Sequence, residues 1–284
     1  FGVVAATLDQ DSLSNSYDAI LGCIVNAKND KVQKGASEGL KHFCTGCGNA
    51  SLVSEMGETI QKYTTALTGP KGVEKENRRN GMAMATAVLL KHFNSQGTVL
   101  TDTIRTLISS IRLPAKNSAE EPVLGSLRLL NLLCKELGAY VFPFCFETDK
   151  KGKSCIQLLL CKLYGKGSKG VRSEVKKATV QLFKTLGPCE IDCVAPLLVE
   201  AMKGNSWRDR VLSLTVLGQL GKRKASGLSR HLPVLVPTVM ECTSDTKKEV
   251  AESSSNALKD VSSIIDNPET VKLMSWLLDA LTEP

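Results

Sequence analysis

Residues 205–220 read NSWRDRVLSLTVLGQL, a polar turn that leads into an apolar run with helical spacing. The chain continues with HLPVLVP at 231–237, where proline stands at a typical helix start. A second polar turn, DTKKEV at 245–250, opens another apolar helical run, and NPE at 267–269 marks a further helix start. Two helices joined by a polar turn therefore recur after roughly 40 residues. Such units are predicted to stack, because one helix pair cannot bury its apolar face alone.

Apolar stripes elsewhere in the chain extend this pattern. Val175, Ala178, Leu182, Phe183 and Leu186 have the spacing of one helical face. We interpret them as the buried face of the second helix of a repeat. The same kind of stripe is present in three further sets: Val250, Ala257, Leu258, Val261 and Ile265; Leu127, Leu130, Cys134 and Leu137; and, more loosely, Val32, Ala36, Leu40 and Phe43. No segment shows a convincing two-residue alternation of a β-strand.

Repeats of this length are typical of HEAT-type units. The sequence therefore predicts an all-α fold, a superhelical α-solenoid of HEAT- or armadillo-like helical hairpins that spans 1–284 as a single domain. Because the chain starts at Phe1 within the pattern, we expect it to be a fragment of a longer protein. The predicted helix pairs, about six in number, are followed by one terminal helix: 13–45, 52–94, 98–138, 154–186, 190–222, 230–265, and then 269–282.

Composition agrees with stacked helices. Apolar residues make up 42% of the 284 residues but aromatic residues only 5%, which disfavours an aromatic-rich β-sandwich. The net charge of +7 permits an acidic or nucleic-acid partner without requiring one. Most cysteines fall in apolar helical runs, which indicates buried free thiols of a cytosolic protein, among them Cys23, Cys134, Cys161, Cys193 and Cys242. No apolar run reaches the roughly 20 residues of a membrane span, so no membrane partner is predicted.

Two short motifs invite a chemical interpretation. GKGSKG at 165–170 matches G-x-G-x-x-G, but the dinucleotide fingerprint needs a preceding strand, and 158–164 continues a helical pattern. The motif is then either a flexible inter-helix loop or a place where helix-start N–H groups hold an RNA phosphate. Cys44 and Cys47 form a C-x-x-C that lacks the second ligand pair of a zinc site. Nothing brings a nucleophile and a base together, so we predict no catalytic residue, cofactor, metal or small-molecule substrate.

Charge is the more informative signal. Residues 150–177 include nine Lys or Arg. The acidic residues are only Glu174, within this segment, and Asp149, directly before it. Inter-helix turns of a solenoid line up along one edge, so basic turns either combine into a phosphate-binding ridge or remain ordinary solvated turns. Trp207 either packs on the preceding helix or serves as an exposed anchor. The candidate RNA- or ribosome-contact residues are Lys150, Lys151, Lys153, Lys166, Lys169, Arg172, Lys176, Lys177, Arg208, Arg210, Lys247 and Lys248.

Residues 205–284 resemble a HEAT region shared by two translation proteins. These are the general-control activator of the initiation-factor-2α kinase and translation elongation factor 3. DTKKEV is similar to the elongation factor, whereas NPE and LLDALTEP at 277–284 are similar to the activator. Upstream, NRRNG at 77–81 and PVLGSL at 122–127 also follow the activator, which we therefore rank first.

The resemblance implies a cytoplasmic, non-catalytic scaffold that binds the ribosome, through rRNA or ribosomal proteins, and supports activation of the initiation-factor-2α kinase. Kinase contact is implied to lie in regions outside this chain. The first alternative is the HEAT arm of an ATPase related to elongation factor 3. The second is a TOG-like, tubulin-binding HEAT array, suggested by Trp207, Arg208 and Arg210. A nuclear transport receptor is disfavoured, since its acidic inner surface does not suit a charge of +7.

Overall fold

The computed structural model describes residues 9–46, 51–92, 97–112, 120–149 and 152–264. Within these ranges every regular element is a helix, apart from one isolated bridge between Thr148 and Ser154. The all-α prediction is confirmed. The terminal helix predicted at 269–282 lies outside the described residues.

The helices follow one another as hairpins with short turns. Short 3₁₀ turns at Gly138–Val141 and Leu228–His231 directly precede the helices Phe142–Phe146 and Leu232–Thr243. A π-helical turn at Leu159–Leu163 separates the helix Cys155–Leu158 from the helix Tyr164–Lys166. The helices are α1 (Gln10–Asn26), α2 (Asp30–Gly46), α3 (Ser51–Thr68), α4 (Glu76–His92), α5 (Gly97–Arg112), α6 (Glu121–Leu137), α7 (Phe142–Phe146), α8 (Cys155–Leu158), α9 (Tyr164–Lys166), α10 (Lys169–Lys184), α11 (Pro188–Met202), α12 (Trp207–Lys222), α13 (Leu232–Thr243) and α14 (Lys248–Ser262).

Helix starts follow from local side-chain chemistry. Ser154 forms a capping box with Gln157 at the start of α8. Ser168 and Ser206 cap α10 and α12, each accepting a hydrogen bond from the backbone N–H three residues further on. Proline occupies the first turn of α6, α11 and α13, where its missing N–H costs nothing. Of the polar turns named from the sequence, the one at 205–210 supplies a side-chain cap through Ser206, whereas Lys247 and His231 begin their helices without one.

The chain divides into two compact units, which are described separately. The larger unit comprises Phe1–Leu159 and Lys166–Thr185, and the smaller unit comprises Leu160–Gly165 and Leu186–Pro284. In the larger unit the second helices of the hairpins pack in order, α2 on α4, α4 on α6 and α6 on α10, while α3 packs on α5. In the smaller unit α12 packs on α14 and α11 on α13. We call α2, α4, α6, α10, α12 and α14 the second-helix layer of their respective units.

The predicted stripe on α10 is confirmed, since Val175, Ala178, Leu182, Phe183 and the following Leu186 are all buried. On α14 the residues Val250, Ala257 and Val261 are buried, whereas Leu258 is half-buried and Ile265 lies outside the described residues. Leu127, Leu130 and Cys134 of α6 are buried and Leu137 is half-buried. Among the cysteines expected to be buried, Cys134 and Cys242 are buried and Cys161 is half-buried, but Cys23 and Cys193 are exposed.

The predicted face of α2 is correct at Leu40 and Phe43, which are buried, and Ala36 is half-buried, but the prediction is wrong at Val32. Val32 is 51% exposed, while the neighbouring Gln33 is 2% exposed. The reason is hydrogen bonding: Gln33 Nε2 donates to the carbonyl of Ile24 at 2.9 Å and to that of Asn77 at 2.7 Å. A buried amide that satisfies two backbone carbonyls joins the end of α1 to the start of α4 and fixes the rotation of α2.

One helical stretch, Glu121–Phe146, is long and apolar enough to cross a membrane by length and composition alone, contrary to the expectation that no such run is present. This is weak evidence, because the core helix of a soluble protein passes the same test. The α6 part of the stretch packs against α3, α4, α5 and α10, so it serves as a core helix of the larger unit.

Candidate nucleic-acid interface

Backbone hydrogen bonds link the described residues on either side of positions 150 and 151. Thr148 and Ser154 form an antiparallel bridge, and the N–H groups of Asp149 and Gly152 donate to the carbonyls of Lys153 and Asp149, both at 2.9 Å. The Asp149 carboxylate accepts a further hydrogen bond from the backbone N–H of Lys153 at 2.9 Å. Lys153 is exposed. The candidate residues Lys150 and Lys151 lie outside the described residues.

The turn between α9 and α10 contains GKGSKG. The segment before it is helical, so no strand is present to build a dinucleotide site. Lys166 and Lys169 are exposed on this turn. Arg172 is not free in the same way, because its Nη1 donates to the carbonyl of Gly167 at 2.7 Å. Arg172 thus stabilises the turn that presents the two lysines.

The exposed face of α10 continues the basic surface. Lys169 and Lys176 are two helical turns apart and lie on the same side, and Lys177 is beside them. Lys177 Nζ pairs with Glu174 Oε1 at 2.7 Å, which offsets part of its charge. No acidic residue of α10 itself occupies its first turn, but Glu120 Oε2 accepts a hydrogen bond from Ser168 Oγ at 2.6 Å and offsets part of the positive charge at the helix start. Lys166, Lys169 and Lys176 are hereafter called the α10 lysines.

The candidates in the smaller unit differ in their availability. Arg208 lies over the ring of Trp207, 4.9 Å from its centroid, and its Nη1 is 3.4 Å from the carbonyl of Gly165. Arg210 is committed within the fold: its Nη1 donates to Gly204 O at 2.7 Å and its Nη2 pairs with Asp245 Oδ2 at 2.9 Å. The Arg210 side chain is only 18% exposed, which leaves little of it for an external partner.

Lys247 and Lys248 are exposed at the start of α14. Lys248 Nζ is 3.6 Å from Glu252 Oε1, a pair between two exposed side chains that contributes little to stability. Both lysines therefore remain accessible to a phosphate group.

The candidates Arg172 and Arg210 make the same kind of hydrogen bond within the fold, and this bond recurs along the chain. Arg79, Arg172 and Arg210 each donate to a carbonyl five or six residues earlier, in the turn before their own helix: Val73, Gly167 and Gly204, respectively. The role is structural and repeats along the chain. Comparing the three turns in the sequence would have shown the shared spacing, whereas counting charges did not.

Arg78 and Arg79 stand out in the sequence as a small basic group, but the recess that Arg78 forms with Lys28 and Lys75 in the larger unit was not predicted. Lys28, Lys75 and Arg78 line a depression of about 550 Å³ between the α1–α2 turn and the start of α4. Asn77 Nδ2 donates to the carbonyl of Lys28 at 3.1 Å and holds the two turns together. The sequence signal that could have located the recess is position, because the α1–α2 turn and the turn before α4 both precede second helices and such turns lie at the same edge of the stack. Glu76 also lines the depression and reduces its charge.

Within the described ranges no group of three or more His, Cys, Asp or Glu side chains is arranged to hold a metal ion. His231 Nε2 is 2.7 Å from Asp192 Oδ1, and Arg230 pairs with the same carboxylate at 3.2 Å. This cluster lies at the surface of the smaller unit and links the 3₁₀ turn to α11.

Comparison with known proteins places these features in context. A family model described as the elongation factor 3 (EF3) N-terminal HEAT repeat matches residues 79–258. "Stalled ribosome sensor GCN1" of Homo sapiens is 31% identical over 160 residues, which is 56% of this chain and 6% of that protein. "eIF-2-alpha kinase activator GCN1" of Saccharomyces cerevisiae is 26% identical over 206 residues, 72% of this chain and 7% of that protein.

"Elongation factor 3" of Candida glabrata is 25% identical over 126 residues, 44% of this chain and 12% of that protein. Both relationships expected from the short motifs are thus confirmed. The chain spans only a small part, 6% to 12%, of the length of these relatives.

Proposed function

Because the chain belongs to the family of elongation factor 3 N-terminal HEAT repeats, we propose that this region of a translation-related scaffold binds the ribosome through its exposed basic turns. The relatives include a protein named as a stalled-ribosome sensor and one named as a kinase activator, which supports a ribosomal partner. The proposal places the protein in the cytoplasm and requires no membrane, cofactor or small-molecule substrate. It includes support of initiation-factor-2α kinase activation, with kinase contact made by regions outside this chain.

The observation that carries the proposal is the set of α10 lysines. All three are exposed, and none forms an ion pair with another described residue. Lys166 and Lys169 flank the start of α10, where Glu120 contacts Ser168 but neither lysine, and Lys176 lies two turns further along the same face. Ribosomal RNA presents phosphates at close spacing, and lysine contacts to phosphates need no particular base sequence. The proposed role of the apolar stripes is to hold the second-helix layer rigid, so that the turns keep their positions.

The test is co-sedimentation of the 284-residue chain with purified ribosomes. The triple variant K166E/K169E/K176E is expected to lose co-sedimentation at low salt, because the phosphate contacts become repulsive. Arg172 is left unchanged, since it stabilises the turn. The matched control is K62E/K135E/K259E, which changes the charge by the same amount on exposed helix faces away from these turns. Equal co-sedimentation of the two triple variants would refute the RNA-contact proposal.

The family match also favours a second candidate, the HEAT arm of an ATPase related to elongation factor 3. The two readings are separated by the complete reading frame: ATP-binding cassette motifs downstream of this region would support the elongation-factor reading. The tubulin-binding alternative is not proposed. Its basis was the trio of Trp207, Arg208 and Arg210, and Arg210 is committed to Asp245 and Gly204.

A further inference from the structure

A recess on the second-helix layer of the larger unit is separate from the basic turns. It has a volume of about 330 Å³ and is bordered by α2, α4, α6 and α10. Met84, Ala87 and Val88 of α4 form part of its lining, and all three are otherwise buried by their neighbours. The small side chain of Ala87 leaves space between α2 and α6. An ion pair across this space, Lys41 Nζ to Glu136 Oε1 at 2.8 Å, belongs to the wall of the recess.

Two amide side chains line the recess, Asn131 on α6 and Gln181 on α10. Both are half-buried, and neither forms a hydrogen bond to another residue in the described ranges. An amide offers a donor and an acceptor together, which matches the N–H and C=O groups of a peptide backbone. Packed helices lie about 8–10 Å apart, and an extended chain advances about 3.3 Å per residue. Amides on adjacent helices can therefore reach peptide groups about three residues apart.

One unpaired cation in the recess favours an acidic occupant. Of the four cations in its lining, Lys34 pairs with Asp30 at 2.6 Å and Arg128 lies 3.8 Å from Glu174, so these two charges are offset by carboxylates outside the lining. Lys41 is engaged by both carboxylates of the lining, Glu38 and Glu136. Lys135 is exposed and pairs with no acidic group in the described part of the chain, so its charge is available to a ligand.

The same chemistry recurs independently in the smaller unit. Gln219 of α12 and Asn256 of α14 line a recess of about 550 Å³ together with Lys222, Lys259 and Asp260. Neither amide has a hydrogen-bond partner among the described residues. An amide on each of two neighbouring second helices, with lysines in excess over carboxylates, is thus a feature of the layer in both units.

We propose that the recess lined by Asn131 and Gln181 binds an extended, acidic segment of a protein partner. The two amides hydrogen-bond to peptide groups of that segment, and Lys135 lies beside one of its carboxylates. Recognition of this kind uses the main chain for affinity and the charge of alternate side chains for selectivity. The site goes beyond ribosome binding, since it uses a different face of the helices and a different class of partner.

The experiment uses the 284-residue chain and a fluorescein-labelled peptide of alternating glycine and glutamate, twelve residues long, followed by fluorescence anisotropy. The peptide is expected to bind saturably, and a glycine–lysine peptide of the same length is expected not to bind. The variant N131A/Q181A should weaken binding about tenfold, because two hydrogen bonds to the ligand are lost. The control N15A/Q61A removes the same side-chain types from exposed positions on α1 and α3 and should bind as the unchanged chain does.

Three results would overturn the proposal: no binding of the glutamate peptide, full binding by N131A/Q181A, or displacement of the peptide by a twelve-nucleotide uridine RNA that depends on the same two amides. The last result would make the recess a nucleic-acid site. If N131A/Q181A fails to fold, as judged by circular dichroism, N131D/Q181E keeps the side-chain shape, removes the N–H donors and adds repulsive charge. N131A/Q181A should still co-sediment with ribosomes, so the two proposals can fail separately.

Discussion

At the residue scale, polar side chains decide where the turns and helices sit. Gln33 is almost fully buried because it satisfies two backbone carbonyls from different helices. Arg79, Arg172 and Arg210 each stabilise the turn before their own helix. A hydrophobicity pattern assigns all four to the surface. Their positions follow instead from the need to pair buried backbone groups.

Glu136 is the clearest titratable example. Its Oε1 pairs with Lys41 Nζ at 2.8 Å and its Oε2 with Lys91 Nζ at 3.1 Å, and its side chain is 10% exposed. Burial by itself raises the pKa of this carboxyl, but the hydrogen bonds from Lys41 and Lys91 outweigh burial and hold the pKa below its usual value of 4.5. The ionised form is therefore favoured in the folded state.

We expect Glu136→Gln to lower the free energy of unfolding at pH 7. Because the folded-state pKa is depressed, this stabilisation is present above pH 4.5 and is lost as the pH falls through the folded-state value. The difference between the unchanged chain and the variant should consequently shrink below pH 4.5. Urea unfolding at several pH values measures it, with exposed Glu58→Gln as the control. A difference that stays constant down to pH 3 would show that the ion pairs do not stabilise the fold.

At the element scale, the apolar stripe predicts burial well where a helix has one apolar face. On α10 every predicted stripe position is buried, and Val175 is 0% exposed. On α14 the stripe is shifted slightly, so that Leu258 lies at its edge. Helix α4 has no stripe, since all residues from 81 to 90 are buried. It packs against α1, α2, α3 and α6, and small residues such as Ala83 and Ala85 permit this close approach.

Val175→Asp is expected to destabilise the chain by about 3–5 kcal/mol, because an unpaired carboxylate would be buried. Leu258→Asp should cost clearly less, since this side chain can turn toward solvent. The control Lys176→Asp alters the exposed neighbour of Val175. Thermal unfolding monitored by circular dichroism compares the three. If Val175→Asp and Lys176→Asp unfold at the same temperature, the core face of α10 has been assigned wrongly.

Glycine allows close helix packing between α12 and α14. A Cβ at Gly221 would lie 2.7 Å from the carbonyl carbon of Asp260 and 2.9 Å from the backbone nitrogen of Val261. Gly221→Ala should therefore destabilise the smaller unit by about 1–3 kcal/mol. Gly39→Ala in α2 meets nothing within 4 Å and should stabilise the chain, by about 0.5–1 kcal/mol, through higher helix propensity. Denaturant unfolding of both variants measures the two effects, and a destabilising Gly39→Ala or a neutral Gly221→Ala would contradict the packing described.

At the scale of the whole molecule, the net charge of +7 is spread over many turns, and only part of it is accessible. If lysine–phosphate contacts bind the ribosome, the logarithm of the binding constant should fall linearly with the logarithm of the salt concentration. Changing any one of the α10 lysines to glutamine should reduce the magnitude of that slope by about one, whereas Lys62→Gln should leave it unchanged. Co-sedimentation across a salt series measures the slopes. Identical slopes for all variants would place the contact surface elsewhere on the chain.

The sequence by itself determined the all-helical class, the polar turns, most of the buried stripe on α10 and α14, and the family. These are local properties, since helical periodicity, capping residues and short motifs are all read within a few neighbouring positions. The sequence located the candidate ribosome-contact surface only in part. The charge count indicated the α10 lysines correctly as exposed, but it gave Arg172 and Arg210 the same weight.

Only the tertiary structure decided which residue near the start of α2 faces inward, which arginines are already paired, and which amides border a recess. Each of these depends on partners far away in the chain: Gln33 bonds to Asn77, and Arg210 to Asp245. A side chain's accessibility is fixed by what stacks against its helix, and that neighbour is supplied by the next repeat. The physical reason is therefore separation along the chain, because local spacing carries no information on the partner that a turn meets after folding.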